Sequence, residues 1–244
     1  MNGTGNEFMR KTHYRHLRLS GQMKGVPQPP LEIEYNVTGT VIDLPDPAKC
    51  NVKSITIREA IENRKSIRRF AGTPVTLHEL SYLLWCTQGV KETIPGSATF
   101  RTVPSAGARH ALETYLLVNN VEELKPGLYR FLALEHKLLE IETTDSIRDD
   151  IITGCLGQEM AGECAVTFFW TSVVQRMTWR YGERGYRYIH LDAGHACQNL
   201  YLAAEAINCG VCAIAAFDDD VMNRVLGLDG EEQFVIYIAV AGKK

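Results

Sequence analysis

The sequence lacks the features that mark several large classes of protein. No apolar run approaches the roughly 20 residues that a membrane-spanning helix needs. The first residues, MNGTGNEFMRKTHYRHLRLSG, contain no apolar stretch of the kind found in a secretory signal. The formal net charge is only −3, which argues against a bulk nucleic-acid binder and against an electrostatic membrane anchor. We therefore expect a globular protein outside the membrane.

Cysteine is present, but without the pattern of a disulfide framework. The 244-residue chain has seven cysteines, an odd number spread widely along the sequence, so free thiols and a cytoplasmic location are expected. One C-x-x-C motif, Cys209 to Cys212, follows a predicted helix. Redox dithiols lie at helix N-termini, which lower the thiol pKa. This pair is therefore predicted to be buried and structural.

Several catalytic and metal-binding signatures are also missing. The sequence has no G-x-S-x-G elbow, no Walker loop and no G-x-G-x-x-G fingerprint, so neither an α/β-hydrolase nor a Rossmann dehydrogenase is supported. His190 and His195 are five residues apart on a predicted helix. They would point about 140° away from each other, given 3.6 residues per turn. No metal site is predicted.

The first 50 residues differ from the rest and are predicted to form an extended arm that wraps over a body spanning 51–244. Phe8 to Leu19 carries four basic side chains and no acid. Two proline-rich stretches follow, and proline favours extended backbone. An arm that binds nucleic acid is the sharper alternative, although one short basic stretch is weak support for it.

The first half of the body is predicted to contain two helices followed by strands. Thr56 and Glu59 have the spacing of a helix capping box, and a second helix follows GTPVT. Residues 90–110 are predicted to be a long loop. The strand-like runs that follow are TYLLVNN, GLYRFL, KLLEIE and CAVTFFWTSV.

The second half is predicted to be helical over 173–208, with a break near 182–185. Gly210 is expected to be the C′ residue of this helix. The short strand CAIAAF, the short helix DDDVMNRVLGL and the final strand QFVIYIAVAG complete the pattern. Strands and helices are mixed without strict alternation, which favours an α+β fold with a central sheet flanked by helices.

The stretch ENRKSIRRF places a serine among basic side chains at the end of a predicted helix. Arg64, Lys65, Arg68 and Arg69 flank Ser66. Guanidinium groups bind phosphate oxygens in pairs, and a serine hydroxyl adds another donor. One interpretation is therefore a phosphate site. A solvated basic helix face would show the same residues, and the stretch alone does not separate the two.

Two further stretches have both a plain and a functional interpretation. PSAGARH, residues 104–110, is either an ordinary loop or a turn of small residues against which a flat ligand approaches the backbone. WRYGERGYRY, residues 179–188, is either an amphipathic helix whose arginines reach the solvent or a wall that faces a substrate.

The body resembles the nitroreductase superfamily of FMN enzymes through the order of its motifs, and the closer resemblance is to the SagB-type dehydrogenase branch, which includes azoline oxidases. The order runs NRKSIRRF, RTVPSAGARHALETYLLV, GLYRF, WRYGERGYRYIHLDAGHACQNLYLAAEAINCGVCAIAAFDDD and a last strand ending in glycine, within residues 55–243. The resemblance implies a nitroreductase-like α+β fold with a mostly antiparallel mixed sheet. It also implies an intertwined homodimer with two FMN sites at the interface.

The resemblance further implies which residues hold FMN. The basic stretch would bind the phosphate, the ribityl chain and the pyrimidine edge. The PSAG turn of the other subunit would lie along the flavin, and two alanines would face N5 of the ring. Lys243, after the last strand, matches a phosphate-binding basic residue, and Arg101 or Arg109 could add charge near the site. The implied cofactor-binding residues are Arg64, Lys65, Ser66, Arg68, Pro104, Ser105, Ala106, Gly107, Arg109, Ala215, Ala216 and Lys243.

Azoline oxidases of this branch have a Lys-Tyr pair as their proposed acid/base, and the matching positions here are Arg180 and Tyr181. A guanidinium does not deprotonate in proteins, so Tyr181 is the residue expected to exchange a proton. The predicted function is ping-pong hydride transfer through FMN to or from a small organic substrate, with NAD(P)H as a candidate donor. The alternative is a flavin-binding partner without catalysis in a larger assembly.

Overall fold

A computed structural model describes residues 3–35, 39–143 and 146–244. At its centre lies a sheet of seven strands in which each neighbouring pair is antiparallel. The strands found in the described residues are β1 (Val41–Asp43), β2 (Val90–Ile94), β3 (Ala98–Arg101), β4 (Leu112–Val118), β5 (Gly127–Leu132), β6 (Lys137–Glu142), β7 (Val166–Val173), β8 (Cys209–Ile214) and β9 (Gln233–Lys243). Their order across the sheet is β1-β6-β5-β4-β7-β9-β8, and β2 pairs separately with β3.

Helices cover both faces of this sheet. Those in the described residues are α1 (Thr4–Lys11), α2 (Ile57–Asn63), α3 (Leu77–Gln88), α4 (Ser146–Gly154), α5 (Met160–Glu163), α6 (Val174–Tyr181), α7 (Gly185–Ala206) and α8 (Asp219–Val225). One face of the sheet packs against α3 and α7, and the other packs against α4 and α8. The predicted α+β fold is confirmed. Within the described ranges, no helix is long and apolar enough to cross a membrane.

Strand β7 shows how the core is built on both faces. Phe168 and Trp170 belong to the cluster under α3 and α7, whereas Phe169 belongs to the cluster under α4 and α8. All three side chains are fully buried. Alternate side chains of a strand point to opposite faces, so a strand covered on both sides needs a continuous apolar run such as this one.

The starts of the first two body helices follow the sequence signals. Thr56 and Glu59 form the predicted capping box at α2, and Thr76 with Glu79 forms another at α3. The predicted break in the long helical region is also confirmed, because a 3-10 turn at Gly182–Arg184 separates α6 from α7.

The long loop predicted for residues 90–110 is wrong in its first half. Val90–Ile94 and Ala98–Arg101 pair as the hairpin β2–β3. Gly96 lies in the connecting turn with a φ of +64°, a conformation that glycine adopts without steric cost. The β-branched residues of both segments favour extended backbone, and they outweigh the glycine, proline and serine that suggested a loop.

The end of α7 also differs from the prediction. Gly210 lies inside β8 rather than at the helix end, and a Cβ at this position would lie 2.5 Å from Ile67 Cγ1. Asn208 follows the helix instead, with a φ of 54°, and asparagine tolerates this left-handed conformation. The glycine is therefore needed for the close approach of another segment.

The N-terminal residues lie over α6. Thr4–Lys11 is helical, so this part of the arm is not extended as predicted. Further along, the Gln22 backbone N donates to the Trp179 carbonyl at 2.8 Å, and Trp179 Nε1 donates to the Val26 carbonyl at 2.7 Å. These contacts hold the arm against the helix that carries Arg180. The division of the chain into an arm and a body stays a prediction.

Candidate functional site

The basic stretch lies along the outer edge of β8. In the part of the chain that the structure describes, β8 is the last strand of the sheet, so one side of its backbone pairs with no further strand. The Ile67 backbone N donates to the Val211 carbonyl at 2.9 Å, and Ser66 forms a parallel bridge with Val211. The stretch is thus fixed by backbone contacts, while the side chains of Lys65, Ser66 and Arg68 stay exposed.

The side chain of Tyr201, on α7, contacts the basic stretch. Its hydroxyl accepts a hydrogen bond from the Ala213 backbone N at 2.9 Å and lies 3.1 Å from Ser66 Oγ. The Arg64 guanidinium lies over the Tyr201 ring, 5.4 Å from its centroid. One buried side chain therefore joins the strand edge to two of the predicted phosphate ligands.

Strand β8 leads directly into the two predicted alanines. Ala215 and Ala216 follow its last residue, and both are exposed. Gln158 Nε2 donates to the Ala216 carbonyl at 2.8 Å, which fixes the backbone here. Methyl side chains leave the backbone open to a flat ligand. The structure therefore places the basic stretch and the two alanines along one strand.

The PSAG turn is held from α7 by Asp192. The Ala106 backbone N donates to Asp192 Oδ1 at 3.3 Å, the Ser105 hydroxyl contacts the same carboxylate, and the His110 backbone N donates to Ser105 Oγ at 2.9 Å. Gly107 has a φ of 58°, which the turn requires. Pro104 at its start is exposed. The turn is therefore a built structure rather than a loose loop.

Arg109 and His110 are buried and support this turn. Arg109 Nε donates to the Gly107 carbonyl and Nη2 to the Ser97 carbonyl, both at 3.0 Å, and burial lowers the pKa of the Arg109 guanidinium. Burial, together with the nearby Arg101 charge, lowers the pKa of His110 to about 3. His110 is therefore neutral at physiological pH. Arg109 links the turn to Ser97 through its two hydrogen bonds.

Tyr181 and Arg180 lie against the same turn. A Cβ at Gly107 would overlap the Tyr181 hydroxyl, and would lie 3.2 Å from Arg180 Cδ and Nε. The Tyr181 ring packs edge-on against Tyr188 at 4.9 Å between centroids, and the Arg180 guanidinium is 5.7 Å from the Tyr181 ring centroid. The two predicted catalytic residues thus lie beside the predicted flavin wall within one chain.

The two predicted walls lie on opposite sides of α7. Asp192 holds the PSAG turn and Tyr201 holds the basic stretch, nine residues further along the same helix. Nine residues correspond to about 13 Å along the axis and about 180° around it. Within one chain, the two walls are therefore held by opposite faces of α7.

Two predicted basic residues are engaged elsewhere. Lys243 Nζ contacts the Glu79 carboxylate and donates to the Ile207 carbonyl at 3.0 Å. Arg101 is buried, with Nη1 donating to Gln88 Oε1 at 3.0 Å. For Lys243 to bind a phosphate, its ion pair with Glu79 would have to open. The assignment of phosphate binding to Lys243 stays a prediction.

Sequence reasoning did not assign the roles of Asp192 and Tyr201. Tyr201 lies among apolar helix residues, where a tyrosine usually contributes to the core. Asp192 is easier than Tyr201 to single out from the sequence, because it is an acid in a helix of small residues that packs inside the protein. It is 5% exposed, its Oδ2 atom has no hydrogen-bond partner among the described residues, and burial raises its pKa.

The C-x-x-C motif is structural, as predicted. Cys209 and Cys212 lie three residues apart in β8 and belong to the core clusters on opposite faces of the sheet. Both are free thiols, and burial raises the pKa of Cys209 to about 12. A thiol of this kind is a poor nucleophile at neutral pH.

Comparison with known proteins identifies the family. The model of the nitroreductase family matches residues 61–243. The chain belongs to the nitroreductase family. This confirms the resemblance drawn from the order of motifs. The matched range begins inside α2 and ends in β9, and it therefore contains both walls.

Two relatives match this chain over different shares of its length. The protein MJ1384 of Methanocaldococcus jannaschii is 29% identical over 203 residues, which cover 83% of this chain and 96% of the relative. The microcin B17-processing protein McbC of Escherichia coli is 28% identical over 141 residues, and the match covers 55% of this chain and 51% of McbC. The chain thus matches about half the length of McbC.

Solved structures show the same nitroreductase fold. A structure from Anabaena variabilis has a TM-score of 0.70 and 29% identity. The match covers 87% of this chain and 45% of the Anabaena chain. One from Desulfovibrio desulfuricans, in complex with FMN, has a TM-score of 0.53 at 17% identity and covers 78% of this chain and 87% of the other.

Proposed function

We propose that this nitroreductase-family chain is an FMN-dependent oxidoreductase of the SagB-type dehydrogenase branch. It would transfer hydride by a ping-pong scheme to or from a small organic substrate, with NAD(P)H as a candidate donor. The observation that carries the proposal is the basic stretch fixed along β8, a strand that is followed directly by two exposed alanines. The FMN-bound structure of the same fold and the similarity to McbC give further support.

The residues along β8 fit FMN. Arg64, Lys65 and Arg68 offer three cations beside the Ser66 hydroxyl, and three of these four side chains are exposed, with Arg64 half-buried on Tyr201. Charged hydrogen bonds to phosphate oxygens are roughly twice as strong as neutral ones. At the other end, small side chains after β8 would let the flat ring approach the backbone.

The second wall would come from another copy of the chain, as a homodimer. The PSAG turn and the basic stretch lie on opposite sides of α7, so each site would combine the basic stretch of one copy with the turn of the other. Arg180 and Tyr181 would then stand beside the flavin held by the other copy. The opposite positions of the two walls on α7 support this division.

The roles of the catalytic pair follow from their chemistry. Bound FMN would supply the hydride-transfer chemistry. The Tyr181 hydroxyl, which lies against Gly107, would donate or accept the substrate proton. Arg180 remains charged and does not act as a base. Its exposed guanidinium beside Tyr181 would attract an anionic group of the substrate.

The alternative is a flavin-binding partner without catalysis, and the arginine at position 180 motivates it. Stopped-flow mixing of the FMN-loaded protein with NADH, NADPH and a panel of organic donors separates the two functions. In the proposed enzyme, at least one donor reduces the flavin, and the absorbance at about 450 nm is lost. If no donor bleaches the flavin, the binding role is favoured and the oxidoreductase is rejected.

Arg64→Ala is expected to weaken FMN binding by about 1.5–3 kcal/mol, the contribution of a charged hydrogen bond. Fluorescence titration of FMN measures this loss. Arg58→Ala is the matched control, because Arg58 lies on α2, which ends directly before Arg64, but is exposed and paired with Glu62 at 2.8 Å. Equal FMN affinity in the two variants would remove Arg64 from the phosphate site.

We also propose a reducing cellular compartment for the protein. All seven cysteines are free thiols, and Cys86 is the one that is only half-buried. Proteins of oxidising compartments typically pair their cysteines in disulfides.

A further inference from the structure

Tyr201 makes three contacts at the proposed phosphate end of the site. Its hydroxyl oxygen accepts from the Ala213 backbone N at 2.9 Å and lies 3.1 Å from Ser66 Oγ. Its ring lies beneath the Arg64 guanidinium at 5.4 Å. The side chain is 9% exposed, so water does not readily replace these partners.

The direction of the hydrogen bond to Ser66 follows from counting protons. A tyrosine hydroxyl carries one hydrogen. Since Tyr201 Oη already accepts from Ala213, donation of that hydrogen to Ser66 Oγ satisfies every group. The opposite direction would leave a buried hydroxyl hydrogen without an acceptor, which is costly. The hydrogen of Ser66 is then directed away from Tyr201, and Ser66 is exposed.

We propose that Tyr201 is a positioning residue that orients the Ser66 hydroxyl as a donor to the phosphate of the flavin nucleotide. The inference rests on the proposed function and names a residue that acts at its phosphate end. Tyr201 does not touch the ligand itself. It forms a chain of three hydrogen bonds that runs from the Ala213 amide through its own hydroxyl and Ser66 to a phosphate oxygen.

The physical consequence is a phosphate donor whose direction is set before binding. Hydrogen bonds in a chain polarise one another, and a bond to an anionic oxygen is stronger than a neutral one. The same tyrosine fixes β8 at Ala213, two residues before Ala215. The contact therefore links the phosphate end of the site to the strand that leads to the proposed ring end.

Tyr201→Phe tests the proposal, because phenylalanine keeps the ring beneath Arg64 and removes only the hydroxyl. We expect FMN affinity to fall about five- to tenfold, the range of one hydrogen bond. Riboflavin, which has no phosphate, should bind the variant within about twofold of the wild type. Tyr129→Phe is the control: it removes another buried tyrosine hydroxyl, which donates to the Lys125 carbonyl at 2.8 Å in a different part of the sheet, and it should leave FMN affinity unchanged.

Ser66→Ala provides a second test. Ser66 is exposed, so this variant does not alter the buried core as Tyr201→Phe does. It should reduce FMN affinity by a similar factor, again without loss of riboflavin affinity. Adding Tyr201→Phe to Ser66→Ala should cause less than about twofold further loss, because coupled residues are not additive. Unchanged FMN affinity in Tyr201→Phe, equal losses for FMN and riboflavin, or additive losses in the double variant would overturn the inference. Failure of the proposed function would instead appear in the wild type, as the absence of FMN binding.

Discussion

Glu113→Ala is expected to lower the free energy of unfolding by about 3–5 kcal/mol, the loss found when one partner of a buried ion pair is removed. Glu113 Oε1 accepts from Arg176 Nη2 at 2.6 Å, and the two side chains are 4% and 3% exposed. The same oxygen accepts from the Ile33 backbone N of the arm at 3.0 Å. Arg101 is also buried nearby, and burial lowers its pKa to about 10 while Glu113 opposes that shift. Without Glu113, the buried Arg176 would lose its ion-pair partner and the buried Arg101 would lose a compensating negative charge.

Urea denaturation of the variant and of Glu92→Ala measures this effect. Glu92 is an exposed strand residue, and its loss should change stability by no more than about 0.5 kcal/mol. The double variant Glu113→Leu with Arg176→Met should recover part of the loss, because apolar replacement of both buried partners removes the unpaired charge. Equal stabilities of Glu113→Ala and Glu92→Ala would show that the buried pair is not needed.

Gly107→Ala is expected to reduce FMN affinity by about tenfold or more and to slow reduction of the bound flavin. Alanine at this φ of 58° costs about 1–2 kcal/mol, and its Cβ would overlap the Tyr181 hydroxyl. The turn and the tyrosine would move apart, and both lie in the proposed site. FMN titration and stopped-flow reduction measure the two effects separately.

Gly96→Ala separates backbone strain from this clash. Gly96 has a similar φ of 64°, but a Cβ there would meet no atom of the described residues within 4 Å. Gly96→Ala should lose only the stability that backbone strain removes and should keep its flavin affinity, whereas Gly107→Ala should lose more stability in thermal unfolding and should also lose flavin affinity. If Gly96→Ala weakens FMN binding to the same extent, the effect is general destabilisation and the PSAG turn is not a flavin wall.

Much of the fold could be predicted because its signals are local. The capping box of Thr56 and Glu59 depends on residues three apart, and the strands β5 and β6 coincide with their apolar runs. Gly210 shows the limit of such signals. A glycine after a helix is typical of a helix end, but this one is required by Ile67, more than 140 residues earlier in the chain.

The candidate site was predictable in its residue types and less so in its contacts. The basic stretch and the PSAG turn stand out from sequence. Their supports, Tyr201 and Asp192, do not, because a buried side chain reveals its partner only after the helix is placed between the two walls. Lys243 shows the same limit, since its partner Glu79 also belongs to a capping box and gives no sign of an ion pair with the last strand.

The central claim is that FMN lies between the basic stretch of one copy and the PSAG turn of another. Sedimentation velocity tests this claim directly. The purified protein is mixed with FMN, and sedimentation is recorded at the flavin absorbance of about 450 nm. We expect the flavin to sediment with a species of twice the 27.3 kDa chain mass. Flavin that sediments free of protein, or with a single 27.3 kDa chain, would contradict the claim.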